Sequence, residues 1–207
     1  MQEIFELYKK YNITYNDAMD DMTKIVIKGM DNYNNNIDFI KKLKKDHKSS
    51  KNIRKPNFPE YVSEPMICLT IRKHLPVINQ EKYKNETPED ICIMPSTGDL
   101  YSKIDGKLEC KCFASDGPIS FGPTEKWDKL YILNATSADK NNFILYEIDI
   151  NSNNFGSIKI SKTETFAMKC AKTVGQRPRI NWKELEQQIP HDKIKIIAKG
   201  TLSELIN

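Results

Sequence analysis

The sequence predicts an α/β (α+β) fold in which a central mixed β-sheet is flanked by helices. Apolar residues in the first quarter of the chain recur at helical spacing, whereas short apolar runs bounded by turn residues alternate with helical segments further on. With 207 residues, of which 39% are hydrophobic, the chain is long enough to bury a substantial core. A layered arrangement of helices on a sheet follows from these observations.

The first elements are predicted to be helices. Residues 1–48 carry two apolar stripes, and the Gly- and Asn-rich stretch 29–36 predicts a break between helical segments. Residues 49–60 contain two prolines and are expected to form a loop. A helix is predicted at 63–75, with Ser63 as its N-cap.

The later elements alternate between strand and helix patterns. Apolar runs bounded by turn residues predict strands at 90–94, 129–135, 143–150, 157–160 and 193–199. Helical spacing returns at 163–174 and 182–189, and Asn181 with Glu184 has the spacing of a capping box for the second of these helices.

Composition excludes several classes of protein. No apolar run approaches the roughly 20 residues that a membrane-spanning helix needs, and the N-terminal residues lack the basic-then-apolar order of a secretory signal. The five cysteines form no paired Cys-x-x-Cys motifs, which indicates a reducing cytoplasm and no structural zinc. We therefore expect a cytoplasmic protein.

The net charge of +4 is small, but it is unevenly distributed. Between Lys41 and Lys55, eight basic residues accompany a single acid, Asp46. Such a run can follow a phosphate backbone, and binding through it would weaken with salt. A solvated helix end that continues into a linker is the alternative interpretation.

Residues 98–112 carry the most informative pattern in the chain. They read as two short strands around an Asp-Gly turn, with Asp99 before the turn and Glu109 and Lys111 after it. Residues two apart on a strand point from the same face. Two carboxylates and an ammonium group on one face can hold a divalent metal and position a water for attack on a phosphodiester. The alternative is an amphipathic hairpin with a solvated charged face.

The register of this hairpin decides whether the three side chains converge. A two-residue turn would place Asp99 on the opposite face from Glu109. A three-residue loop, with Gly106 in the left-handed region, pairs Asp99 with Lys111 and Tyr101 with Glu109. Because the second register also sorts polar and apolar residues to opposite faces, we predict it.

Glu64 is a further acidic candidate on the predicted helix 63–75. It shares a helical stripe with Ile67, Cys68, Ile71 and Leu75. A carboxylate directed at the core is costly unless it is paired or metal-bound. Alternatively, Glu64 is a half-exposed first-turn residue favoured by the helix dipole.

These residues carry a resemblance. Pro95 followed by residues 98–99 and 109–111 resembles the PD-(D/E)xK signature of type II restriction endonucleases and related nucleases. Residues 117–128 and 175–180 are similar to two further segments of type II restriction enzymes, in the same order. The proline and the aspartate are not adjacent here, which departs from the usual pattern.

The resemblance implies a restriction-endonuclease-like core that hydrolyses double-stranded DNA at a short, specific site with Mg²⁺ and leaves 5′-phosphate ends. It implies that Asp99, Glu109 and the carbonyl of Cys110 hold Mg²⁺. Lys111 would steady the attacking water and the developing negative charge. Glu64 matches, in order and placement, a glutamate that a preceding helix often supplies in this family.

Candidate DNA contacts lie in three segments. They are Ser120, Thr124 and Lys126 after the catalytic strand, Arg177 and Arg179 around Pro178, and Lys51, Arg54 and Lys55 in the basic run. Serine, threonine, lysine and arginine side chains can contact phosphates or base edges. The alternatives are a rigid packing loop for the first segment and structural salt bridges for the arginines.

Cleavage of both strands with one site per chain predicts a homodimer and a palindromic target. A restriction enzyme also requires host protection, so a cognate DNA methyltransferase is expected. We divide the chain into an N-terminal helical region with the basic segment, 1–56, and a PD-(D/E)xK nuclease core, 57–207. Two alternatives remain open: a structure-specific repair or recombination nuclease on the same core, and a non-catalytic DNA-binding protein.

Overall fold

A computed structural model describes residues 15–46, 55–94, 100–172 and 177–207. Its helices are α1 (Tyr15–Asp46), α2 (Glu60–Ile78), α3 (Gln80–Tyr83), α4 (Pro88–Ile91), α5 (Ser152–Phe155), α6 (Phe166–Lys172), α7 (Trp182–Glu186) and α8 (Leu202–Ile206). Its strands are β1 (Leu100–Ser102), β2 (Gly106–Phe113), β3 (Ile119–Ser120), β4 (Lys129–Ser137), β5 (Asn142–Ile148), β6 (Arg179–Ile180) and β7 (Ile194–Gly200). Short 3₁₀ turns lie at Ala138–Lys140 and His191–Lys193.

In the described part of the chain, β1, β2, β4, β5 and β7 form one mixed sheet in that order. Strand β2 runs parallel to β4, and the other neighbouring pairs are antiparallel. Strands β3 and β6 form a separate two-stranded ribbon. The predicted class, a mixed sheet flanked by helices, is confirmed, and so are the strands predicted at 129–135, 143–150 and 193–199.

The two faces of the sheet cover separate hydrophobic clusters. On one face, Leu108 and Cys110 of β2 pack with buried residues of α1 and α2. On the other face, Leu130 and Ile132 of β4 pack with an aromatic group that consists of Phe121, Trp127, Phe155 and Phe166. Strand β2 is therefore enclosed between a helical layer and an aromatic layer.

Helix α1 continues without interruption through 29–36, so the predicted break is wrong. The apolar stripe runs through that stretch at spacings of four, three and four, and its members are buried: Val26, Met30, Tyr33 and Ile37. Position 29 of the helix requires glycine, because a Cβ there would lie 2.2 Å from Cγ2 of Val62. Close packing of α1 on α2 therefore outweighs the low helix propensity of the glycine and asparagines.

Helix α2 begins at Glu60, three residues before the predicted start. Pro59 is its N-cap, and the Ser63 hydroxyl donates a hydrogen bond back to the Glu60 carbonyl (3.2 Å) from inside the helix. The N-cap prediction for Ser63 is therefore wrong. The apolar stripe predicted on this helix is confirmed, because its members are buried: Ile67, Cys68, Ile71 and Leu75.

Two predicted strands and a predicted cap are also wrong. Within 90–94, only Ile93 forms a β-bridge, with Tyr101, because a Thr87–Asp90 capping box winds the preceding residues into α4. Residues 157–160 are not a strand of the sheet, since the Gln188 amide bonds to both backbone groups of Lys159. Helix α7 begins after Asn181, but that side chain makes no cap hydrogen bond.

The hairpin of β1 and β2 forms as predicted, but its register differs. Leu100 pairs with Leu108 and Tyr101 with Lys107, two residues away from the predicted pairing. The Ser102 hydroxyl accepts hydrogen bonds from the backbone N–H groups of Ile104 and Asp105 in the turn. The pairing of the two strands therefore begins at Ser102, which pairs with Gly106. Gly106 is left-handed as predicted, with φ +76°. Because the shift is even, each described side chain of the hairpin stays on its predicted face.

No helix within the described residues is long and apolar enough to cross a membrane. No disulfide bond forms among the described residues, and Cys68, Cys92 and Cys110 are buried.

Candidate active site

Strand β2 brings the predicted glutamate and lysine together. Glu109 and Lys111 alternate with Leu108 and Cys110 along the strand, so they point to the face opposite the helical layer. The side chain of Glu109 is 0% exposed and that of Lys111 is 15% exposed. The two side chains are in direct contact as an ion pair, with Nζ of Lys111 against Oε1 of Glu109.

The floor of this site is apolar. Glu109 and Lys111 lie beside Leu130 and Ile132, their neighbours on β4. The Lys111 ammonium group lies 5.7 Å from the centroid of the buried Phe121 ring. Low-dielectric surroundings strengthen the interactions between the charged groups that remain.

A third charged side chain reaches the same site from the segment after β3. Oε2 of Glu125 lies 3.6 Å from Nζ of Lys111, and the Glu125 side chain is 27% exposed. The backbone N–H of Gly122 donates a hydrogen bond to Oε2 of Glu125 (2.8 Å), which fixes the carboxylate over the turn. The site therefore contains one ammonium group between two carboxyl groups.

The electrostatic environment keeps Glu125 ionised. Partial burial raises the pKa of its carboxyl, but the hydrogen bond with Glu109, the charge of Lys111 and the Gly122 N–H outweigh that effect. Arg177 lowers the pKa of Glu125 further through its charge. The net result is a lowered pKa, so Glu125 is a carboxylate at neutral pH.

Sequence reasoning did not select Glu125. It lies in the 117–128 segment, in which the predicted functional residues are donors to DNA: Ser120, Thr124 and Lys126. A local signal was present, because an acidic side chain three residues after a glycine in a Gly-Pro turn can accept the N–H of that glycine. Its approach to Lys111 depends on tertiary packing of the segment over β2.

The two other predicted acidic residues of the site are Asp99 and Glu64. Asp99 lies outside the described residues; Leu100, which follows it, pairs with Leu108, which precedes Glu109. Glu64 is half-buried on α2.

Two segments singled out in the sequence meet in the ribbon of β3 and β6. Ser120 pairs with Arg179, and the backbone N–H of Phe121 donates to the carbonyl of Pro178 (3.0 Å). The arginine residues 177 and 179 are exposed, as are Thr124 and Lys126. The ribbon thus gathers predicted DNA contacts from both segments beside the Glu109–Lys111 pair.

The basic run is only partly described. Lys51 and Arg54 lie outside the described residues. Lys55 donates hydrogen bonds to the carbonyl of Thr136 (3.1 Å) and to Oδ1 of Asp139 (3.3 Å).

The donor atoms of the site suit a hard cation. Carboxylate and carbonyl oxygens are the ligands that Mg²⁺ prefers, and Glu109, Glu125 and the Cys110 carbonyl supply them. Within 15–46, 55–94, 100–172 and 177–207, no group of three or more His, Cys, Asp or Glu side chains is arranged to hold a metal. Asp99 is not among those residues.

A second charged cluster lies at the end of the sheet where the β1–β2 turn meets β4 and β5. Asp105 accepts hydrogen bonds from Lys82 (2.6 Å), Tyr83 (2.7 Å) and Lys129 (2.8 Å). Nζ of Lys129 also lies 3.5 Å from Oε2 of Glu147. The side chains of Lys82, Asp105, Lys129 and Glu147 line a cavity of about 380 Å³. Because the acids and bases of the cluster neutralise one another, it is a structural ion-pair network.

Comparison with known proteins defines the class. A family model for the Bsp6I restriction endonuclease matches residues 22–189, and the chain belongs to that restriction endonuclease family. The type II restriction enzyme Bsp6I of Bacillus sp. (strain RFL6) is 29% identical to this chain over 125 residues, which cover 60% of the chain and 62% of that enzyme. The chain thus spans less than two thirds of the curated relative it matches. No solved structure matches the chain.

Proposed function

We propose that this protein is a Mg²⁺-dependent type II restriction endonuclease that hydrolyses double-stranded DNA at a short, palindromic site. The observation that carries the proposal is the contact between Glu109 and Lys111 on an apolar floor, in a chain of the Bsp6I family. A buried acid–lysine pair is costly to form, which favours a functional role for it. The relative's name, type II restriction enzyme, agrees with this activity.

The proposed site combines Asp99, Glu109, Lys111 and Glu64. Leu100 pairs with Leu108. Asp99 precedes Leu100 in the sequence and Glu109 follows Leu108, which supports a role for Asp99 beside Glu109. Asp99, Glu109 and the Cys110 carbonyl would hold Mg²⁺, which when bound polarises the phosphate and lowers the pKa of a water.

Within this site, the chain's own residues have separate tasks. The Lys111 ammonium group donates hydrogen bonds to the attacking water or to the phosphate oxygen on which charge develops. Phe121 and Ile132 exclude bulk water from the face on which Lys111 lies. Cleavage of the P–O3′ bond leaves a 5′-phosphate and a 3′-hydroxyl.

DNA contacts are proposed for the β3–β6 ribbon. The pairing of Ser120 with Arg179, together with exposed Arg177, Thr124 and Lys126, presents donors beside the catalytic strand. Arginine can bind guanine or phosphate through two parallel hydrogen bonds. A second set of contacts is proposed for Lys51, Arg54 and Lys55.

The assembly follows from the chemistry of cutting a duplex. We propose a homodimer, because two copies related by a two-fold axis present one site to each strand. Residues 57–207 would form the nuclease core, and 1–56 would serve dimer formation or DNA contact. A cognate DNA methyltransferase would protect the host.

The test is digestion of a sequenced plasmid with Mg²⁺ by the wild-type protein and by Lys111→Ala. The wild-type protein should give discrete bands with 5′-phosphate ends. Lys111→Ala should lose cleavage by at least about 100-fold while retaining DNA binding, since the loss concerns stabilisation of developing charge. Lys140→Ala, which removes an exposed lysine, is the matched control and should cut normally.

Three outcomes would contradict the proposal in different ways. Continuous degradation or cleavage only at branched DNA would favour a structure-specific nuclease. Binding without any Mg²⁺-dependent product would favour a non-catalytic DNA-binding protein. Normal cleavage by Lys111→Ala would remove the assigned residue from the mechanism.

A further inference from the structure

We propose that Glu125 is a positioning residue that holds the Lys111 ammonium group for phosphodiester hydrolysis. This inference rests on the proposed nuclease function. Its basis is the geometry of the turn at 122–125, which delivers a carboxylate from outside the hairpin to within 3.6 Å of Nζ of Lys111.

The carboxylate of Glu125 is held in place by its own turn. Its Oε2 accepts the Gly122 N–H at 2.8 Å. A Cβ at position 122 would lie 2.0 Å from Oε1 and 2.1 Å from Cδ of Glu125, so only glycine allows this approach. The buried rings of Phe121 and Trp127, with centroids 6.0 Å apart, anchor the two ends of the segment. A fixed carboxylate restricts the ammonium group that it attracts.

Lys111 needs this second anion if Glu109 is a metal ligand. A carboxylate that binds Mg²⁺ shares its charge with the cation and attracts the lysine less strongly. Glu125, which approaches from the other segment, would then keep the ammonium group oriented toward the phosphate. The charge of Arg177 also lowers the pKa of Glu125. Glu125 therefore interacts both with Lys111 and with an arginine of the proposed DNA-binding surface.

The experiment separates the charge of Glu125 from its hydrogen bond. Glu125→Gln keeps an oxygen that accepts the Gly122 N–H but removes the charge, whereas Glu125→Asp keeps the charge on a side chain one methylene shorter. If the charge positions Lys111, kcat should be highest for the wild-type protein, lower for Glu125→Asp and lowest for Glu125→Gln, which should lose about 10- to 100-fold through loss of orientation. KM should change little.

Readouts independent of cleavage complete the test. Without metal, the affinity of Glu125→Gln for DNA should equal or exceed that of the wild-type protein, because a negative charge has been removed near a phosphate-binding surface. Its melting temperature should match that of Glu164→Gln, a control that removes the charge of a half-buried glutamate paired with Lys172 at 3.1 Å. The control should also cut DNA at the wild-type rate.

Several results would overturn the inference. If Glu125→Gln is as active as the wild-type protein, or more active than Glu125→Asp, the hydrogen bond to Gly122 matters rather than the charge. Weaker DNA binding by Glu125→Gln would instead assign Glu125 to the binding surface. These results are distinguishable from failure of the nuclease proposal, which would appear as absent cleavage by the wild-type protein or normal cleavage by Lys111→Ala.

Discussion

Replacement of Lys129 by methionine is expected to destabilise the fold through the buried ion-pair network. Nζ of Lys129 lies 2.8 Å from Oδ1 of Asp105 and 3.5 Å from Oε2 of Glu147, and its side chain is 11% exposed. Methionine keeps much of the apolar stem but removes the cation. The two acids are then left without the charge that they share.

The size of the loss in unfolding free energy depends on the hydrogen bonds that Asp105 and Glu147 keep in the variant. Breaking a buried ion pair from one side costs about 3–5 kcal/mol. Asp105 keeps Lys82 and Tyr83, and Glu147 keeps a hydrogen bond from the Tyr131 hydroxyl (2.9 Å). We therefore expect the lower end, about 3 kcal/mol. For a chain of this length that loss lowers the melting temperature by roughly 6–12 °C.

Urea unfolding followed by tryptophan fluorescence measures this loss. Lys195→Met is the matched control, because Lys195 lines the same cavity but is exposed. The control should stay within about 0.5 kcal/mol of the wild-type protein.

The pH dependence provides a second check. Burial raises the pKa of Asp105, but hydrogen bonds from Lys129, Lys82 and Tyr83 outweigh it and lower the pKa below the ordinary value of 3.8. The Asp105 carboxylate therefore stabilises the folded state at pH values above 3.8. This stabilisation is lost as the pH falls through the lowered pKa of the folded state. The difference between Lys129→Met and wild type should narrow on acidification. A difference below about 1 kcal/mol at pH 7, the value of an exposed ion pair, or a difference that widens in acid would show that the Lys129 charge does not stabilise the fold through this network.

Three further substitutions test packing, turn geometry and capping. Gly29→Ala should destabilise by about 1–2 kcal/mol in urea unfolding, because overpacking against buried Val62 exceeds the gain in helix propensity; a stabilised variant would contradict the α1–α2 packing. Gly122→Ala should displace the Glu125 side chain and lower kcat about 10-fold with little change in melting temperature; unchanged kcat would contradict that coupling. Thr201→Ala should cost about 1 kcal/mol, because Thr201 caps α8; calorimetry with no shift would show that the cap contributes nothing.

Local patterns predicted the parts of the fold that depend on neighbouring residues. Alternation on β2 correctly placed Glu109 and Lys111 on one face and Cys110 on the other. The left-handed Gly106 was also predicted correctly, because a tight turn between strands requires it. These features arise from backbone geometry within a few residues.

Several predictions failed because residues distant in sequence changed a local preference. The hairpin register moved by two residues because Ser102 binds the turn and because Lys82 and Lys129 hold Asp105. The asparagine-rich stretch stayed helical because α2 lies against it. Residues 157–160 do not join the sheet because the Gln188 side chain forms hydrogen bonds with the backbone N–H and carbonyl of Lys159. Apart from Ser102, which is local to the turn, the partners Lys82, Lys129 and Gln188 lie 23, 24 and 29 residues away in sequence.

The amino-acid sequence was enough to place Glu109 and Lys111 on one face of β2, because strand periodicity assigns faces without reference to the rest of the chain. Tertiary structure alone decided that Glu125 would meet Lys111 and that Ser120 would lie opposite Arg179, since both contacts join segments that are separate in sequence. Such contacts depend on how the aromatic layer packs against the sheet. Spacing rules describe one element at a time and carry no information about that packing.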